Sequence, residues 1–312
     1  MLIIELTFLG TASAIPSRSR NHSAIVVKVS DKVLLLDCGE STQRQLMFAN
    51  VSPMRIDDIF ITHLHGDHVL GLPGLIQSLA FRGRTKPLNV YGPVGIDEFV
   101  EHIKFLGFSS IDFEVVPHVI TSRHELVYRH EDFVVSAMRM NHTVTDYAFK
   151  IEQLRRPKFI KSNALALGVP EGPLFGQLQD GLDVEVDGRI VRAVDVLGPP
   201  RRGKKIVFSG DTTPVGDMVD FAMDCDVLIH EATYTSEYRD KAYENGHTVA
   251  KDAASIARDA NVGRLVLTHL SNRYTDSKEL LDEAREIFED TVYANDFTKV
   301  IVENKKDVQI IL

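Results

Sequence analysis

Cysteine is scarce in this 312-residue chain: there are two, Cys38 and Cys225, each within or beside an apolar run. Two thiols so placed make no disulfide framework and suit a reducing cytosol, with both groups buried. Long apolar runs are missing as well. No stretch approaches the ~18 residues of a membrane span, and the opening Met1-Leu2-Ile3-Ile4-Glu5-Leu6 carries an acid where a secretion signal needs a basic segment. The reading is a cytoplasmic protein with no membrane partner, whose first residues form a strand. Positive charge is short too. With 35 Lys/Arg against 44 Asp/Glu the net charge is −9, which argues against indiscriminate polyanion binding but leaves a local basic surface open. What remains is globular: 44% hydrophobic residues, and a length that gives one large domain or two ordinary ones ample core.

Short apolar runs closed by turn residues predict strands at Leu2–Leu9, Ala24–Val29, Val33–Asp37, Ile59–Thr62 and Leu88–Tyr91. Later ones follow at Phe133–Met140, Lys205–Phe208, Val227–Ile229 and Leu265–Leu267. Helices are expected over Leu75–Phe81, Val249–Asp259 with Thr248 as its cap, and Ser277–Phe288. His63, His142, Asp211, His230 and His269 each lie at or just past a strand's carboxyl end. Rigid strand ends delivering ligands to one rim are what a metal site built on a sheet requires.

The segment from about Arg155 to Lys205 breaks this pattern. It holds Pro157, Pro170, Pro173, Pro199 and Pro200 among frequent glycines, and ten Lys/Arg against six Asp/Glu. A Pro/Gly-rich insertion of reversed charge reads either as an excursion that contacts something anionic or as an ordinary solvated arm, and charge alone does not choose.

The densest signal is Phe60-Ile61-Thr62-His63-Leu64-His65-Gly66-Asp67-His68, with four potential metal ligands in six residues directly after an apolar strand. Imidazoles and a carboxylate suit a borderline ion such as Zn²⁺, bound at roughly 2.0–2.2 Å. Gly66 allows a tight turn, so that His63 and His65 serve one ion while Asp67 and His68 serve another. His142 suits the first ion as a third nitrogen, His269 completes the second, and Asp211 stands where a carboxylate bridges both. Each of the three, taken alone, is equally a hydrogen-bonded strand-end residue. Two divalent ions about 3.5–4 Å apart activate water and stabilise both oxygens of a displacement.

The motif from His63 to His68, followed in order by His142, Asp211 and His269, resembles the metallo-β-lactamase superfamily. Within it, the chain resembles the ribonuclease Z family. Phe8-Leu9-Gly10-Thr11, Pro16-Ser17-Arg18-Ser19-Arg20-Asn21 and Asp37-Cys38-Gly39-Glu40-Ser41-Thr42-Gln43 are similar to its early signatures. Ser209-Gly210-Asp211-Thr212, His230-Glu231-Ala232-Thr233 and Gly246-His247-Thr248 are similar to its later ones.

That resemblance implies an α/β fold, a four-layer αββα sandwich, as a single catalytic domain over residues 1–312. A protruding flexible arm, residues 155–204, would be inserted in it as an RNA-binding exosite, with Gly198-Pro199-Pro200 matching the family's clamp for the tRNA elbow. It implies two Zn²⁺ per chain, with Mn²⁺ or another divalent ion as a substitute. His63, His65 and His142 would hold one ion, Asp67, His68 and His269 the other, and Asp211 both. Asp67 matches the family's proton acceptor, and Glu231 with His247 its pair beside the leaving oxygen; locally, His247 also reads as a helix-start residue. The implied activity is removal of 3′ trailers from precursor tRNA, with a 3′-hydroxyl left on the tRNA and a 5′-phosphate on the trailer, by a homodimer. Arg18, Arg20, Arg82 and Arg84 are further candidate phosphate contacts or simply solvated. A small-phosphodiester hydrolase of the same fold is the alternative, for which a long basic arm has no use. A diiron oxidoreductase of this fold typically carries Glu where His65 stands, and leaves no residues here for its flavin domain.

Overall fold

The computed structural model describes residues 3–106, 111–305 and 307–311, so Leu2 of the first expected strand lies outside them. The chain begins β1 (Ile4–Gly10), β2 (Ala24–Val29), β3 (Lys32–Leu36), α1 (Thr42–Phe48), β4 (Ile56–Phe60), α2 (Gly66–Val69) and α3 (Leu72–Phe81). It continues with β5 (Leu88–Pro93), α4 (Ile96–Ile103), β6 (Val115–Ile120), β7 (His124–Arg129), β8 (Phe133–Arg139) and β9 (Tyr147–Gln153).

Residues 153–203 form a compact unit of their own. It contains α5 (Lys161–Ala166), α6 (Pro173–Gln179), the hairpin β10 (Val184–Val186) and β11 (Arg189–Val191), and α7 (Ala193–Val196). Asp187 and Gly188 both take positive φ at the hairpin turn, which suits the right-handed twist of its strands. Ala164, Val169, Leu178, Val184, Val191, Ala193 and Val196 give this unit a small core.

The second half of the larger unit runs β12 (Lys205–Phe208), α8 (Asp217–Ala222), β13 (Val227–Glu231), α9 (Arg239–Glu244), α10 (Ala250–Asp259) and β14 (Arg264–Thr268). Then come α11 (Lys278–Arg285), β15 (Thr291–Tyr293), β16 (Lys299–Asn304) and β17 (Asp307–Ile311). One sheet has the order β17-β16-β1-β2-β3-β4-β5-β6 and the other β15-β14-β13-β12-β9-β8-β7.

Side-chain alternation makes the layers. Leu34 and Leu36 of β3 point into the cluster between the sheets, with Ile25, Val27, Phe149, Ile206 and Val266. Val33 and Leu35 point the other way, onto Leu46 of α1 and Leu72, Leu75 and Leu79 of α3. Leu265 and Leu267 of β14 do the same on the far side, against Ala253, Ala257 and Leu280 of α10 and α11. Strands buried on both faces read as unbroken apolar runs, and the result is the expected αββα sandwich.

The structure shifts several boundaries. β4 ends at Phe60 and not Thr62, so the histidine motif starts in the loop beyond it. β13 runs on through Glu231, so His230 is inside a strand and not at its end. Val249, not Thr248, caps α10; the Thr248 hydroxyl donates instead to Thr212 O at 2.5 Å, which ties two loops of the site together.

Candidate metal centre and active site

Four loops that follow β4, β8, β12 and β14 meet at one edge of the sandwich. His63, His142 and Asp211 each stand three residues past a strand, and His269 one residue past. His142 Nε2 lies 3.2 Å from His65 Nδ1, and these two group with His63 as one possible ligand set. Asp67, His68 and His269 form a second, with Asp67 Oδ2 3.6 Å from His68 Nε2 and 3.4 Å from His269 Nε2. Asp211 Oδ2 reaches both, at 3.9 Å from His63 Nε2, 3.4 Å from His68 Nε2 and 3.2 Å from His269 Nε2. All seven ligands expected from sequence are thus brought together, in two groups with Asp211 between them.

Outer partners orient the imidazoles. His142 Nδ1 donates to Gly246 O at 2.7 Å, a carbonyl that can only accept, so its Nε2 keeps a lone pair for the site. His68 Nδ1 donates to Asp37 Oδ2 at 2.7 Å, and Asp37 Oδ1 also takes the Thr62 N–H at 2.8 Å. His63 Nδ1 lies 2.7 Å from Asp146 Oδ2. His269 sits at φ 68, a left-handed conformation uncommon outside glycine, and its Nδ1 donates to Thr233 Oγ1 at 2.9 Å. Two glycines make room for this shell. A Cβ on Gly210 (φ +64) would meet Asp146 Oδ1 at 2.4 Å, and one on Gly246 (φ +75) would meet His142 Nδ1 at 2.6 Å.

Electrostatics favour a cation at the centre. Burial, and then the neighbouring His68, push His63 down to about 3, and burial and His63 push His65 down to about 4. Both rings are therefore neutral donors at neutral pH. Burial alone would do the same to His68, but Asp211, Asp37 and Asp67 outweigh it and raise His68 well above the ordinary range. The same three carboxylates would favour a divalent cation at this place. His63 Nε2 is buried and makes no hydrogen bond, an expensive state unless a ligand takes its lone pair. The donor set is imidazole, with His63 and His65 neutral, plus carboxylate, which fits a zinc-like ion.

Beside the cluster, Glu231 Oε1 accepts from His247 Nδ1 at 2.9 Å, Thr248 N at 3.0 Å and Thr212 N at 3.2 Å. Its Oε2 accepts from Thr233 Oγ1 at 2.8 Å and Thr233 N at 3.1 Å. Burial opposes a charge on Glu231, yet His247 outweighs it and keeps the carboxyl below its ordinary value. Burial would likewise lower His247, but Glu231 and then Asp211 bring it up to about 9. His247 Nδ1 lies 3.9 Å from Asp211 Oδ2, but that nitrogen is already committed to Glu231.

Some residues singled out in the sequence are elsewhere. His230 is fully buried, donates Nδ1 to Glu231 O at 2.7 Å, and joins no ligand group among the described residues. Arg20 and Arg84 are structural: Arg20 donates to Thr11 Oγ1, Ala294 O and Asn295 Oδ1, and Arg84 to Ile56 O, Lys86 O, Pro87 O and Asp57. Arg18 and Arg82 remain exposed. Conversely, Asp146 drew no notice in the sequence, and Asp37 and Thr233 only as members of motifs without a role.

A family model described as anti-Pycsar protein Apyc1 matches residues 4–162, and one described as a beta-lactamase superfamily domain matches 195–270. Ribonuclease Z of Methanothermobacter thermautotrophicus is 45% identical over 300 residues, 96% of this chain and 97% of that protein. Ribonuclease Z of Methanosarcina acetivorans is 40% identical over 96% of this chain and 98% of its own. The chain belongs to the ribonuclease Z family. Among solved structures, human tRNase Z, short form (ELAC1), superposes with a TM-score of 0.70 at 31% identity, covering 95% of this chain and 98% of that one. The metallo-beta-lactamase fold protein YhfI from Bacillus subtilis, at 20% identity and a TM-score of 0.68 over 96% of this chain and 99% of that one, shares the fold. Membership in the ribonuclease Z family makes the chain a hydrolytic nuclease of the metallo-β-lactamase fold, with His/Asp clusters able to bind metal.

Proposed function

We propose that the chain is a zinc-dependent endoribonuclease that removes 3′ trailers from precursor tRNA, leaving a 3′-hydroxyl on the tRNA and a 5′-phosphate on the trailer. The observation that carries this reading is Asp211 standing between two ligand groups, with the Glu231–His247 pair on the same rim. His63, His65 and His142 would hold one ion, Asp67, His68 and His269 the second, and Asp211 both. A pair of divalent ions, when bound, lowers the pKa of water toward ~7 and offsets charge at the phosphorus.

The residues of the chain do the rest. Asp67 Oδ1 or Oδ2 takes the proton as the water oxygen bonds to phosphorus. His247, held as imidazolium by Glu231, gives a proton to the departing 3′-oxygen as the P–O3′ bond breaks. Thr233 links the two parts of the site, since its hydroxyl accepts from His269 and donates to Glu231.

The unit of residues 153–203 would serve binding. It contains Gly198-Pro199-Pro200 and eight Lys/Arg against six Asp/Glu, and none of the candidate ligands. Phosphate affinity concentrated there lets an acidic protein hold RNA, which is read largely through backbone and shape. A homodimer is supported by apolar side chains left exposed on and beside α2, α3 and α4: Leu70, Phe81, Phe105 and Leu106. No helix among the described residues is long and apolar enough to cross a membrane. The burial of both cysteines, Cys38 and Cys225, supports a cytoplasmic site. Light scattering of the purified protein tests the dimer.

The test of substrate class is deletion of Pro157–Pro200, bridged by a short Gly/Ser linker. Hydrolysis of bis(p-nitrophenyl) phosphate should survive, while the KM for a 3′-extended precursor tRNA should rise strongly and its salt dependence flatten. A deleted protein that cut precursor tRNA like the parent would favour the small-phosphodiester reading.

A further inference from the structure

A groove of about 990 Å³ on the larger unit is lined by Arg18, Arg44, Phe48, Lys278 and Phe297, among others. A smaller concavity of about 260 Å³ shares Ser17 to Arg20 and Thr275 with it and reaches Ala12, Leu270 and Ser271. Leu270 follows the candidate ligand His269, and its backbone pairs with Thr11 O at 2.9 Å and Ser13 N at 3.0 Å. The two concavities share part of their lining and run from Leu270, the residue after His269, to Phe48 at the end of α1.

The end at Phe48 has an unusual chemistry for a solvated surface. Phe48 is 57% exposed and Phe297 38%, their rings edge to face with centroids 6.2 Å apart. Phe297 holds φ at 69°, where a bulky residue is an outlier, a strain that clusters at functional sites. The Arg44 guanidinium lies 5.0 Å from the Phe48 ring centroid. Among the described residues neither Arg44 nor Arg18 has a carboxylate within ion-pair distance, in contrast to Lys278, which is paired with Asp282. The carboxylates in the groove are occupied: Asp296 accepts from Thr11, Asn21 and Gln45, and Asp276 from Lys278 N.

Exposed aromatic faces next to unpaired guanidinium groups suit single-stranded nucleic acid, whose bases stack on rings while its phosphates meet the cations. A duplex has no free base faces to offer. Resting on the precursor-tRNA reading above, we propose that this groove binds the unpaired 3′ trailer beyond the scissile bond, with a base stacked on the Phe48–Phe297 platform and Arg18 and Arg44 on the phosphates.

The test compares two precursor tRNAs, one with a single-nucleotide trailer and one with an unstructured trailer of roughly ten nucleotides, within the range that such binding sites cover. The parent protein should show a lower KM for the long trailer. Phe48→Ala should raise that KM about tenfold, the worth of one lost base–aromatic stack, and remove the advantage of length, and Phe48→Trp should restore it. Arg44→Ala should flatten the salt dependence for the long trailer by about one phosphate contact. The proposal is overturned if the parent shows no length advantage, if Phe48→Ala keeps it in full, or if both substrates weaken alike. Failure of the parent to cut either RNA would instead overturn the precursor-tRNA reading itself.

Discussion

His247 and Glu231 form a buried pair, Nδ1 to Oε1 at 2.9 Å, in which the carboxylate already accepts four other hydrogen bonds from Thr212, Thr233 and Thr248. A carboxylate so fully engaged is poorly placed to ligate metal, and an imidazole committed through Nδ1 offers its other nitrogen to substrate. We expect His247→Ala to keep its metal and lose about 10²- to 10⁴-fold in rate, the usual span for general acid–base catalysis. Metal loss comparable to that of His63→Ala would move His247 among the ligands and end this assignment.

Asp37 is expected to act through His68. Its Oδ2 fixes the His68 tautomer, while the Thr62 N–H and hydroxyl brace its Oδ1 at 2.8 and 3.0 Å. Asp37→Asn should weaken metal binding about 10- to 100-fold, as outer-partner changes commonly do, with the fold retained. Competition with a chromophoric chelator reads this directly, and parent-like affinity would show that His68 needs no such anchor.

How much of this was legible in the sequence follows from burial. Runs such as Val33–Leu36 and Leu265–Leu267 announced themselves because both sheet faces are covered. β7 and β17 were missed as short edge strands whose residues face partly to water, and the inner strands β9 and β16 because Lys150, Glu152 and Glu303 interrupt their apolar runs. The candidate ligands His63, His65, Asp67 and His68 stood out through density. Asp146 and Asp37 did not, since an isolated acid near a strand end looks like surface until the fold lays a distant histidine against it. The same blindness left Arg20 and Arg84 as either phosphate contacts or solvated residues, when each satisfies buried carbonyl groups instead.

Asp296 gives a pH signature. Burial raises its carboxyl to about 6 despite the hydrogen bonds from Asn21 and Thr11 and the charge of Arg20, which act to lower it. An acid whose folded pKa exceeds its unfolded value of about 3.9 binds more protons when folded, so its contribution to stability is present at low pH and lost as pH rises from about 4 to 6. Relative to the parent, Asp296→Asn should therefore gain in Tm across that window. A difference in Tm that stays constant from pH 4 to 7 would show that Asp296 ionises normally.

The most direct test of the dinuclear centre is metal content measured by plasma mass spectrometry on the parent and on Asp211→Ala. Asp211 is the one carboxylate whose Oδ2 lies within 4 Å of nitrogens from both ligand groups among the described residues. Two ions per chain in the parent, and most of that metal lost together with trailer cleavage in the variant, is the result we expect. Two retained ions per chain and near-normal turnover in Asp211→Ala would contradict it.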